Sequence, residues 1–293
     1  MKRLSIAIMA LTLCLTTMAQ DWRRQGSRVE EHTVKSEVLG ADRAYTVYLP
    51  AGYDANKERT YPVLYLLHGM NDTNKGWYER GHVKDVMDQL TASGEACEMI
   101  IVTPDAGGAV MENKWNGYFN MEGWRYEEFF FTEFLPMIEK TYRIKGDKQH
   151  RAIAGLSMGG GGCTSYAQRH SDMFAACYAM SAFMHMSAEG VDQEKVKQGN
   201  RMALLMDAAH RLSCVDYVKN ADDVRKEQLR TVQWFVDCGD DDFLFDCNLD
   251  YYQAMRKAHI PCQLRVRDGG HTWEYWHSAL YTALPYFSRI FSK

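Results

Sequence analysis

At 293 residues with 46% hydrophobic side chains, the chain is long enough to bury a substantial core. Its formal charge of −4 comes without any stripe of clustered Lys and Arg, which excludes the electrostatic footprint of a nucleic-acid binder. Beyond the first residues, nothing approaches the ~20 uninterrupted apolar positions that a membrane-spanning helix requires.

Met1 to Ala19 combine a basic start (Lys2, Arg3), an apolar stretch from Leu4 to Leu15 and a small-residue end at Thr17-Met18-Ala19. This pattern predicts a secretory leader cleaved before Gln20, and hence a periplasmic or secreted protein, with a retained anchor as the alternative. Cys14 raises a lipoprotein, but Leu13 is bulky where lipid processing favours a small residue. Cleavage removes two bases and no acid, leaving 32 basic and 38 acidic side chains, a net −6. Seven cysteines remain (Cys97, Cys163, Cys177, Cys214, Cys238, Cys247 and Cys262), an odd number that leaves at least one thiol unpaired. Some of the others could be bridged in an oxidising compartment, or all could be buried free thiols. No Cys-x-x-Cys or Cys/His zinc spacing occurs, so no metal or other cofactor is expected.

Residues 29–49 alternate apolar and polar positions and predict an antiparallel strand pair ending before Pro50. Val63-Leu64-Tyr65-Leu66-Leu67 and Met99-Ile100-Ile101-Val102 are continuous apolar runs, as expected of strands covered on both faces. Between them, residues 82–92 read as a helix with Val83, Val86, Met87 and Leu90 on one face. Residues 106–125 read as loop, followed by a helix carrying Phe130, Phe134, Met137, Ile138 and Tyr142 at helical spacing. The rhythm continues with strand 151–156, helix 158–170, strands 175–180 and 232–238, helix 246–258, strand 262–267 and a last helix 277–291. Alternating strands and helices imply an α/β fold, a mostly parallel sheet with helices on both faces. Residues 184–230 interrupt it with a polar, helical insertion expected to cap one edge. No repeat or Pro-rich hinge divides residues 20–293, which predicts one domain.

At the end of strand 151–156 stands Gly155-Leu156-Ser157-Met158-Gly159. A serine on so sharp a strand-to-helix turn needs residues almost without side chains two positions either side, and this spacing reads as a nucleophile elbow. Serine attack then requires a general base, a group that orients it and donors for the oxyanion. His271 is the base candidate, because Asp268-Gly269-Gly270 carries it off the end of a strand; His277 falls inside the last helix. The acid is sought in Asp240-Asp241-Asp242 beyond strand 232–238, with Asp246 a weaker candidate. Spacing does not choose among the three, and a solvated turn with a helix cap accounts for one or two of them. The backbone N–H groups of Met158 and of Met70, after Leu67-His68-Gly69, are the candidate oxyanion donors.

These residues resemble the esterase D, or putative esterase, family of α/β-hydrolases, over most of residues 40–290. The likeness is carried by Tyr65-Leu66-Leu67-His68-Gly69 with Trp77, by Phe129-Phe130 through Glu139, by the Ser157 pentapeptide with Gly160, by Cys238-Gly239-Asp240-Asp241-Asp242, and by Gly269-Gly270-His271-Thr272-Trp273 with Trp276. The family includes feruloyl, acetylxylan and S-formylglutathione esterases and mycolyltransferase antigens. Its catalytic acid is the third residue after the glycine, which implies Asp242. The Gly-Gly-His-x-Trp-x-x-Trp ending is most similar to secreted feruloyl esterases. The resemblance implies a secreted serine carboxylic-ester hydrolase that forms an acyl-enzyme and releases ferulate or related hydroxycinnamates from plant cell-wall polysaccharide. An acetylxylan or short-chain esterase, acyl transfer to another acceptor, and a non-catalytic glycan-binding protein are the alternatives. Trp77, Trp115, Trp273 and Trp276 are the candidate substrate-binding residues, with Tyr118 and Trp124 in the same loops, since flat aromatic faces suit a phenolic acyl group or a sugar ring. Gly159 through Gly162 make a longer glycine run than the elbow needs.

Overall fold

A computed structural model describes residues 26–293. The leader expected over residues 1–19 lies outside the described residues. Strands β1 (Arg28–Ser36), β2 (Ala41–Leu49), β3 (Val63–Leu67), β4 (Ile100–Pro104), β5 (Arg151–Leu156), β6 (Ala176–Met180), β7 (Gln233–Gly239) and β8 (Cys262–Arg267) form one twisted sheet. Their spatial order is β1-β2-β4-β3-β5-β6-β7-β8. β1 and β2 pair antiparallel, with Arg28 opposite Leu49, β2 runs antiparallel to β4, and the remaining pairs are parallel.

The continuous apolar runs of the sequence are the central strands. β3, β4, β5 and β6 are buried at every position because helices cover both faces. One face packs against Phe129, Phe130, Ile138, Tyr166, Tyr251 and Met255 from helices on that side. The other packs against Val83, Val86, Met87 and Leu90 of the helix Val83–Ser93 and against Ala279, Leu280, Ala283 and Phe287 of the helix Trp273–Phe291. The molecule is an α/β-hydrolase fold with three layers.

Some boundaries differ from the sequence reading for identifiable reasons. The last helix begins at Trp273 rather than 277, because the Thr272 hydroxyl accepts the Tyr275 N–H and caps it. The helix predicted around Phe130 starts at Tyr126 and runs to Thr141 with a π turn over Phe130–Phe134. Residues 106–125 include a minimal hairpin pairing Asn120–Met121 with Trp124–Arg125. The insertion folds as helices Gln193–Lys197, Arg201–Arg211, Cys214–Lys219 and Asp223–Arg230, without a strand. All seven described cysteines are free thiols.

Candidate active site

The parallel strands deliver their carboxyl ends to one rim of the sheet, and the candidate residues meet there. β5 ends at Leu156, and Ser157 follows at φ 54°, ψ −119°, a left-handed backbone that a side chain rarely adopts and that lifts its hydroxyl above the rim. The turn is held by the Ser157 N–H donating to Met180 O at 2.9 Å and by Ser157 O accepting from Gly161 and Phe183 N–H groups. A Cβ on Gly155 would strike the Gly159 carbonyl, and one on Gly159 would strike the carbonyls of Leu67 and His68. The longer glycine run has the same origin, since Gly161 lies against the Phe183 carbonyl and Gly162 against the Tyr118 ring.

His271 Nε2 lies 2.9 Å from Ser157 Oγ. Its Nδ1 lies 3.0 and 3.1 Å from the two carboxylate oxygens of Asp242. Asp242 is buried and also accepts the Leu244 N–H at 2.8 Å. Burial pushes its carboxyl up, but hydrogen bonds from His271, the Leu244 amide and Ser181 outweigh this and hold it below the usual carboxylate range. It is therefore ionised at neutral pH, as an orienting partner for an imidazole must be. The geometry thus selects Asp242 from the three adjacent acids. Asp240 and Asp241 are exposed, and Asp240 instead accepts the Gly269 N–H at 3.2 Å, tying the acid loop to the histidine loop. Asp246 sits in the first turn of the helix Phe245–Lys257. Below the loops, Asp237 on β7 is fully buried and accepts Tyr178 and Tyr275 hydroxyls, each at 2.6 Å, which locks β6, β7 and the last helix together.

Met158 begins the helix Met158–Arg169, so its N–H has no acceptor within the helix. Met70 follows Gly69, whose α-carbon side abuts Leu156 and Ser157, so its loop lies against the elbow. His68 fixes that loop: Nδ1 lies 2.7 Å from Gly69 O, and Nε2 accepts the Ala106 N–H at 2.9 Å. Burial lowers the pKa of this ring despite the opposing charge of Asp105, so it is neutral. An unfolded histidine takes up a proton near pH ~6.5 and folded His68 does so only lower, so its contribution is present above that pH and lost on acidification. The stability gap between wild type and His68→Gln, measured by urea unfolding, is therefore expected to shrink between about pH 7 and about pH 5. A gap independent of pH would contradict this account.

Ser157 stands between two cavities. The wider, about 470 Å³, is lined by Met70, Asp72, Arg80, His271, Trp273 and Trp276 among others. The narrower, about 160 Å³, is almost wholly apolar, with Met70, Met158, Phe183, Met186, Leu205, Met206, Phe243 and Leu244 as its walls. The insertion supplies Leu205 and Met206, so it roofs this cavity.

Of the four tryptophans expected at the substrate, two line the cleft. Trp273 faces the wider cavity, and Trp276 backs His271 edge-on at 4.8 Å while its indole N–H donates to Ser181 Oγ at 3.0 Å. Trp77 is a correction: it is fully buried, donates to Leu67 O at 3.0 Å and supports Trp273 from beneath at 5.4 Å. Trp115 is another, lining neither cavity; it stacks on Trp124 under the Arg201 guanidinium. Tyr118 and Trp124 are buried, donating to the His68 and Gly117 carbonyls. Sequence reasoning missed Phe243, 76% exposed with its ring 4.5 Å from His271, although its place beside Asp242 was a signal. It also missed Phe183, Leu205 and Met206, which no local pattern ties to Ser157.

The sequence matches the family model described as Putative esterase over residues 36–287. The chain belongs to the Putative esterase family. The chain is similar to a solved ferulic acid esterase, at 63% identity and a TM-score of 0.87, covering 91% of this chain and 99% of that one. It is 33% identical over 172 residues to an endo-1,4-beta-xylanase/feruloyl esterase of Xylanibacter ruminicola, which covers 58% of this chain but 23% of that protein. The chain thus spans under a quarter of that relative's length. A ferulic acid esterase of Anaeromyces mucronatus, 20% identical with a TM-score of 0.69 over 89% of this chain and 90% of that one, shares the fold.

Proposed function

We propose that this esterase hydrolyses hydroxycinnamoyl esters, such as feruloyl groups on plant cell-wall polysaccharide, through an acyl-enzyme on Ser157. The observation that carries the acyl assignment is the narrow cavity beside Ser157 Oγ. At about 160 Å³ with apolar walls it matches the roughly 150 Å³ that accommodates a benzene ring in an apolar protein cavity, whereas an acetyl group would leave most of it empty. The similarity to a solved ferulic acid esterase supports the same reading.

In this mechanism His271 takes the Ser157 proton as Oγ attacks the ester carbonyl, and Asp242 holds the ring in the tautomer with its proton on Nδ1. The Met70 and Met158 amides receive the oxyanion, a pair of which each member is worth about 3 kcal/mol in comparable sites. His271 then protonates the departing alcohol and activates water against the acyl-enzyme. With the leader expected over residues 1–19, the reading places a single catalytic domain outside the cytoplasm. No described helix is long and apolar enough to cross a membrane.

Met206→Trp, which intrudes on the narrow cavity from its roof, tests the acyl assignment. It is expected to lower kcat/KM for methyl ferulate by roughly 10-fold to 200-fold relative to p-nitrophenyl acetate. An equal loss on both substrates, or none on ferulate, would place the acyl group elsewhere.

A further inference from the structure

We propose that Arg80, clamped by Asp72 and Trp273, recognises the sugar hydroxyls of the departing alcohol, so that the wider half of the cleft is a carbohydrate subsite. This rests on ester hydrolysis at Ser157. The direction of the substrate follows from where the proton must go. The leaving alkoxide takes a proton from His271 Nε2, so its oxygen must lie within hydrogen-bonding distance of that atom. His271 lines the wider cavity and not the narrow one. The alcohol therefore departs into the wider cavity and the acyl group fills the narrow one.

The chemistry of the wider side suits a neutral polyol. Arg80 Nη2 lies 2.5 Å from Asp72 Oδ1, and the guanidinium sits 4.7 Å over the Trp273 ring. Both partners are themselves fixed. Asp72 Oδ1 accepts the Thr73 N–H at 2.7 Å, and its carboxylate fills space that a side chain on Gly76 would occupy. Trp273 is held edge-to-face by Trp77 at 5.4 Å and Trp276 at 5.3 Å, and buried Trp77 hangs from the end of β3. The Arg80 side chain nevertheless remains 50% exposed, against 10% for Asp72. The result is a rigid fork of five N–H donors, part of which Asp72 engages and the rest of which is open to the cleft. Asp72 neutralises its charge, which favours hydroxyl groups over a carboxylate or phosphate as the ligand. Two other polar side chains that line this side are partly committed to the fold: Asn71 Oδ1 accepts the Val110 N–H at 2.9 Å, and the Thr272 hydroxyl oxygen caps the last helix. Arg80, half-exposed and with a five-donor fork, presents the largest set of donors on this side of the cleft.

The test compares a feruloylated pentose oligosaccharide with methyl ferulate, which share the acyl group and differ in the alcohol. In Arg80→Gln the ratio of kcat/KM for the sugar ester over the methyl ester is expected to fall by about 10-fold or more, chiefly through KM. Arg80→Lys keeps the charge but not the fork and is expected to lose most of the same preference. An unchanged ratio in Arg80→Gln, or a wild-type ratio in Arg80→Lys, would overturn the proposal. Wild-type inactivity toward both esters would instead overturn the esterase reading, and the subsite with it. Circular dichroism of each variant separates a lost subsite from a lost fold, and the half-exposed position of Arg80 leads us to expect native spectra.

Discussion

Ser157→Ala is expected to lower kcat for ester hydrolysis by on the order of 10⁶, to the level that binding and the oxyanion donors sustain alone. The reason is geometric. At the left-handed backbone of Ser157 one hydroxyl is raised to 2.9 Å from His271 Nε2, and water in its place would lack both the fixed position and the covalent route. The Met70 and Met158 amides and both cavities remain in the variant, so substrate binding should change far less than turnover. Hydrolysis of methyl ferulate, followed by ferulate release, reads both parameters. Turnover within about tenfold of wild type would mean that another group attacks the ester.

Asp242→Asn is expected to cost about 10⁴ in kcat with the fold intact. An amide in that place presents N–H to His271 Nδ1 and favours the wrong tautomer, leaving Nε2 unable to take the serine proton. The neighbouring change Asp240→Asn is expected to stay within a few-fold of wild type, because the amide oxygen can still accept the Gly269 N–H and the side chain faces solvent. The same assay on both variants distinguishes the acids, and a larger loss in Asp240→Asn would contradict the assignment of Asp242.

The pair also shows what the sequence could and could not convey. Three adjacent carboxylates follow β7, and alternation along the chain says nothing of which one turns inward. Only the family resemblance selected Asp242, and the structure gives the physical cause: its carboxylate is enclosed by His271, Ser181 and the Leu244 amide. The strands were legible because burial on both faces leaves an unbroken apolar signature. β5 has the bounds this signature predicts, Arg151–Leu156, whereas β8, a part-exposed edge strand in which apolar and polar residues alternate, also keeps its predicted bounds, Cys262–Arg267, without that signature. The elbow was legible because its glycines answer a steric demand that is local to the turn.

Depth in the fold is not local. Trp77 and Trp273 look alike in sequence, yet one is the fully buried support of the other. The walls of the narrow cavity come from Met70, Phe183, Leu205, Met206 and Phe243, which lie far apart along the chain and converge only once the sheet order and the insertion are known. Arg80 escaped notice for the same reason. Its clamp is made across the rim, by Asp72 from one loop and Trp273 from the last helix.

The most direct test of the account is covalent. Incubation with a fluorophosphonate probe, followed by peptide mass mapping, is predicted to give one adduct, on the peptide carrying Ser157, with labelling abolished in Ser157→Ala and slowed by orders of magnitude in His271→Ala. Failure of the wild-type protein to label, or an adduct on any other residue, would contradict the assignment of Ser157 as the nucleophile and with it the catalytic role of the cleft.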